Sequence, residues 1–128
     1  MRIEIAFKHQ YEAQLRNEFR TRTDYIIRAI TWDLAFWLYC NYHITLLITC
    51  LYRDKIENSR VGGSPTSRHL EEPCKAVDYR MRDWSKEAIA ATIAYLKTTW
   101  GDLIYVLEES DHIHIQLSRA KFPSGSLK

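Results

Sequence analysis

The strongest constraint on the fold lies near the C-terminal end. Two apolar-alternating runs, residues 103–107 and 113–117, are separated there only by the polar stretch Glu108-Glu109-Ser110-Asp111. Strands joined by so short a turn pair antiparallel, because a parallel crossover needs a dozen residues or more. Residues 85–100 place Ile89, Ile93, Leu96 and Trp100 at helical spacing, with Gly101 as the stop. Residues 24–39 give a second helix, whose apolar residues include Ile26, Ile27, Ile30, Leu34 and Leu38, with Asp24 as its N-cap. The β-branched run ITLLITCLY predicts a central strand, residues 76–79 a short one, and residues 2–7 and 10–19 a further strand and helix. Helices and strands alternate irregularly and the last two strands pair directly. The expected class is therefore α+β, a mainly antiparallel sheet with flanking helices, rather than a doubly wound fold. A length of 128 residues suits one domain, residues 1–128, and 46% apolar content excludes wholesale disorder. The tail, residues 120–128, is expected to fray.

Charge and cysteine usage exclude several functions. A net charge of +2 is too slight to predict a nucleic-acid partner, and Arg16, Arg20, Arg22 and Arg28 read as solvated helix faces. Residues 34–52 are apolar on average but contain Asn41, His43, Thr45 and Thr49 and change period midway. They read as a buried helix followed by a buried strand, without stable membrane insertion. The charged start has no apolar leader core, so the expectation is a chain made in the cytoplasm. Cys40, Cys50 and Cys74 form neither a disulfide framework nor a CxxC zinc site; Cys40 and Cys50 read as buried thiols. Trp32, Trp37, Trp84 and Trp100 read as core.

Residues 54–74 form a long polar loop, and a loop of that length in a small domain is usually functional. It carries Ser67 and His69, and Asp78 follows on the next strand. On the hairpin, His112 and His114 alternate onto one face, beside the acids Glu108, Glu109 and Asp111. His69, Asp78 and His114 together supply three zinc ligands and leave the fourth position open, which is the catalytic arrangement.

The segments ITCLYRDKIENSRVGGSPTSRH, KAVDYR and LIYVLEESDHIHIQL resemble the M15 peptidases. That group includes D-Ala-D-Ala carboxypeptidases and dipeptidases and phage endolysins that cut L-Ala-D-Glu bonds. The segments also resemble the metal site of Hedgehog signalling domains, which share the fold. In the family pattern SxHxxGxAxD, followed by a distant His preceded by an acid, Ser67, His69, Ala76 and Asp78 fit, and Arg53 matches an arginine upstream of the motif. The resemblance covers residues 45–117. It implies a Zn²⁺ held by His69, Asp78 and His114, with Asp111 or Glu108 as general base. It also implies Arg53 as oxyanion or carboxylate partner, His112 as a second donor and Ser67 ordering the loop. In the other register His112 is the ligand and Glu109 the acid. Two departures stand out: eight residues separate His69 from Asp78 where the pattern has six, and Cys74 replaces the usual glycine. The implied activity is zinc-dependent hydrolysis of a peptide bond in peptidoglycan stem peptides. The enzyme would be a monomer reaching the cell wall after release, as a phage endolysin or virion hydrolase does. A non-catalytic zinc-binding module of the same fold is the alternative.

Overall fold

The computed structural model describes residues 2–119 and 121. Apart from Lys121, the tail expected to fray lies outside the described residues. Five strands form one sheet: β1 (Ile5–Phe7), β2 (Leu46–Cys50), β3 (Ala76–Arg80), β4 (Ile104–Glu108) and β5 (His112–Leu117), in the order β1-β2-β3-β5-β4. The helices are α1 (Glu12–Thr21), α2 (Tyr25–Tyr42), α3 (Lys55–Arg60) and α4 (Lys86–Trp100). The expected α+β class holds. The sheet is mixed because β1 runs parallel to β2, while every other pairing is antiparallel.

Local chemistry sets the helix ends. Asp24 accepts from Ile26 N at 2.8 Å and Ser85 Oγ accepts from Ala88 N at 3.1 Å, satisfying amides that a helix start leaves open. Gly101, at φ 56°, ends α4 in a backbone region that glycine enters without cost. His43, at φ 53° and ψ 34°, ends α2 in the left-handed helical region.

Strand alternation divides the sheet into two faces. Val77, Tyr79, Ile113, Ile115 and Leu117 are buried together with Ile27, Ile30, Leu34 and Leu38 of α2 and Leu96 of α4. Each such side chain stabilises the fold by roughly 1.5–3 kcal/mol on full burial. Trp37 stacks on Tyr95 at 4.5 Å, and Tyr95 Oη donates to Asp33 at 2.8 Å, which locks α2 against α4. The opposite face carries Asp78, His112, His114 and Gln116. Helix α1 packs on β1 and β2 through Leu15 and Phe19, the latter edge-on to Phe7.

Several expectations are corrected. Cys40 is exposed rather than buried, and Trp32 is 48% exposed on the outer side of α2. The segment 54–74 is not plain loop: it contains α3 and a single 3-10 turn, Arg68–Leu70. Its far end is tied to the α1–α2 corner, where Cys74 N donates to Arg22 O at 2.7 Å and Asp24 N to Cys74 O at 2.9 Å.

Candidate metal centre

Register brings the hairpin histidines to Asp78. In the β3–β5 ladder Asp78 lies directly opposite His114, and Arg80 opposite His112. Asp78 Oδ1 is 2.8 Å from His114 Nδ1 and 3.3 Å from His69 Nε2. Its other oxygen, Oδ2, is 3.7 Å from His112 Nε2. The rings of His69 and His114 meet edge to face at 5.2 Å. Histidines from two segments distant in sequence thus converge on one carboxylate.

The outer nitrogens fix the tautomers. His69 Nδ1 donates to the Leu51 carbonyl, leaving the Nε2 lone pair turned to Asp78. His114 Nε2 donates to Gln116 Oε1 at 2.9 Å, leaving Nδ1 for Asp78. Two imidazole lone pairs and a carboxylate oxygen facing one another repel unless a proton or a metal cation lies among them. Such outer hydrogen bonds are how metal-ligating histidines are oriented. The donor set therefore fits zinc, which takes imidazole nitrogen and carboxylate oxygen.

Electrostatics agree with a site built for positive charge. Burial alone would push the Asp78 carboxyl up. Hydrogen bonds from His114 and His69, with the charges of both rings, overcome that and hold it well below the usual carboxylate range. Burial opposes protonation of His114. The hydrogen bond and charge of Asp78, helped by Gln116 and Glu109, raise the imidazole above its usual value all the same.

Ser67 and Arg53 order the loop side. Ser67 Oγ accepts from His69 N and from Arg53 Nη2, each at 3.2 Å, and Arg53 N donates to the His69 carbonyl at 2.8 Å. Arg53 Nε is buried without a partner. Arg68, buried beside His69, pairs at 2.9 Å with Glu71 in the stretch that leads to Asp78. Cys74 is fully buried and its thiol donates to the Ala76 carbonyl at 3.1 Å; burial pushes its pKa up to about 12.

The acids of the hairpin separate by face. Asp111 Oδ1 is 2.8 Å from His112 Nδ1, and that bond lowers the Asp111 pKa. Glu108 lies opposite Ile113, whose side chain is in the core, so alternation turns Glu108 to the face away from His114. Glu109 alternates back to the histidine face, and its amide donates to the His112 carbonyl at 2.9 Å.

Sequence reasoning placed Cys50 in the core, whereas its Sγ lies 3.8 Å from His69 Nδ1. Cys50, His69 and Asp78 offer ligand atoms within 4.8 Å of one another. The cause is an irregularity between β2 and β3: Ile48 pairs with Tyr79, but Cys50 pairs with Asp78. One extra residue on β2 flips the strand face, so Cys50 leaves the core side that Ile48 occupies. Burial, then the Asp78 charge, keeps its pKa far above the usual thiol value.

A cleft of about 530 Å³ opens beside these groups, lined by Asp78, Cys50 and Arg53, by Glu18 of α1 and Arg22 at its C-cap, and by α3. Comparison with curated proteins and with solved structures gives no match. The profile of the family described as Peptidase M15 matches residues 15–116, reaching beyond the segments that carry the motifs to take in α1 and α2. That match spans most of the chain, and the protein belongs to the M15 peptidase family.

Proposed function

We propose that the protein is a zinc-dependent peptidoglycan hydrolase, with the metal held by His69 Nε2, Asp78 and His114 Nδ1. Membership of the M15 peptidases supports a zinc peptidase-type hydrolase. The observation that carries the residue assignment is the meeting of two oriented imidazoles at one buried carboxylate oxygen. Cys50 is the competing donor. Its sulfur lies near His69 Nδ1, the nitrogen already committed to the Leu51 carbonyl, so it stands behind the ring rather than before it.

Zinc, when bound, supplies Lewis-acid polarisation of a carbonyl and acidification of water. The chain's own residues do the rest. Asp111 orients His112 through Nδ1, leaving Nε2 directed toward Asp78 as a proton-handling group beside the ligands. Arg53, anchored to Ser67 and lining the cleft, is the cationic group available there for a substrate oxygen. The bond cut is in a stem peptide of the wall, and a phage-type or virion-borne lysis enzyme is the context this reading favours. No helix among the described residues is long and apolar enough to cross a membrane.

Metal content and digestion of purified peptidoglycan test the reading together. Chelation is expected to stop product release and added zinc to restore it. His69→Ala, Asp78→Ala and His114→Ala should lose zinc, while His112→Ala and Cys50→Ser should retain it. Retention of zinc in His114→Ala with loss in Cys50→Ser would replace His114 by Cys50 in the ligand set. Bound zinc without any wall product would mark a binding module rather than an enzyme.

A further inference from the structure

Helix α1 buries Leu15, Glu18 and Phe19, an i, i+3, i+4 stripe in which an acid stands where packing calls for an apolar residue. Glu18 is only 6% exposed. One of its oxygens, Oε2, accepts from Gln14 Nε2 at 2.9 Å, and the other, Oε1, is buried with no partner. Burying a carboxylate without a full set of partners is costly.

The cations lining the same cleft are occupied elsewhere. Arg22, the C-cap of α1, pairs with Glu72 and lies over the Tyr52 ring at 4.0 Å. Lys8 sits over the Tyr11 ring at 5.6 Å, Arg60 pairs with Glu57 at 2.7 Å, and Arg53 bonds Ser67. Glu18 nevertheless belongs to this cleft, which also reaches Asp78 and Cys50, and its charge is felt at both Cys50 and Arg22.

We propose that Glu18 is a specificity-determining residue that seats a substrate ammonium, so that the cleft selects peptides carrying a primary amine on a side chain, as a diamino acid does. This rests on the peptidoglycan-hydrolase reading, since it places the amine in a stem peptide. A buried carboxylate with one oxygen held and the other unpaired is half of an ion pair. An alkylammonium completes it with a charge-assisted hydrogen bond, while an anion is repelled and a neutral amide gains less. Gln14 fixes the carboxylate plane from outside. Arg53, which lines the same cleft and keeps its charge while bonded to Ser67, supplies the opposite charge for the peptide's oxygen end.

The test uses two synthetic stem-type peptides, identical except that the side-chain amine is free in one and acetylated in the other. The zinc-loaded wild-type chain is expected to favour the free amine in kcat/KM by roughly 10- to 100-fold, the range of a hydrogen bond to a charged group. In Glu18→Gln that preference should fall toward unity, with circular dichroism and zinc content checking the fold. Equal rates on both peptides in the wild type, or an undiminished preference in Glu18→Gln, would overturn the assignment. Calorimetric binding of the same two peptides separates the two proposals. Cleavage of neither defeats the hydrolase reading, and tighter wild-type binding of the free-amine peptide, lost in Glu18→Gln, still upholds Glu18. Equal binding of the two overturns it.

Discussion

At the scale of single residues, a histidine is useful to a metal only if its second nitrogen has somewhere to put its proton. His69 uses the Leu51 carbonyl and His114 uses Gln116. The three ligand candidates were legible in the sequence as spaced motifs, and Gln116 was implicit in the alternation His112, His114, Gln116. Cys50 was not legible, because a single extra residue in β2 reverses which face it takes. Nor was Glu18: an acid in an amphiphilic helix reads as surface until burial shows otherwise. Strand alternation bears on a choice the sequence left open, between Asp111 and Glu108 as the acid of the proposed site. Asp111 holds His112, whereas Glu108 shares a face with core residue Ile113. Asp111→Asn is therefore expected to lower kcat by roughly 10²- to 10⁴-fold with zinc retained, the usual contribution of general acid–base groups. Glu108→Gln should stay within a few-fold of wild type. Steady-state rates on purified wall fragments check the pair, and an unimpaired Asp111→Asn would remove that acid from the mechanism.

Among the elements, those marked by strong local chemistry were foreseeable. The cap at Asp24 and the stop at Gly101 bound α2 and α4 as expected, while Ser85 caps α4 and does not lie within it. The segment between β2 and β3 was opaque, because its order comes from tertiary bonds rather than periodicity. Asn58 is one source of that order: its Nδ2 donates to the Ser64 carbonyl at 2.8 Å, and Gly63 N donates back to the Asn58 carbonyl at 2.8 Å. The Asn58 side-chain amide lies so close to Gly63 that a Cβ there would be 2.1 Å from Asn58 Oδ1. This side chain is buried and tethered, so it cannot swing clear. Gly63→Ala should therefore displace the stretch leading into Ser67 and His69. The expected result is zinc affinity lowered by roughly 10- to 100-fold, the scale of lost ligand orientation, with the sheet intact. Competition with a chromophoric chelator measures it, and wild-type affinity would show that the loop absorbs the clash.

For the molecule as a whole, stability, pH and metal are linked through the Asp78–His114 pair. The raised His114 pKa adds stability to the metal-free fold that is full below the unfolded value of 6.5 and lost as pH rises through the raised value. The lowered Asp78 pKa adds stability present above the unfolded value of 3.8 and lost as pH falls through the lowered value. Metal-free protein thus gains most in mildly acid solution, where zinc must also displace the His114 proton. The rise in Tm produced by saturating zinc is accordingly expected to be larger at about pH 8 than at about pH 6. Equal increments at both would dissociate His114 from the metal. The architecture carries one more implication. The segment bearing His69 ends at Cys74, which is bonded through its backbone to the corner joining α1 and α2, and α1 forms a wall of the cleft. Metal hold and cleft shape are therefore not independent variables. Whatever factor by which an occupant of the cleft tightens the grip on zinc, zinc must tighten the grip on that occupant by the same factor.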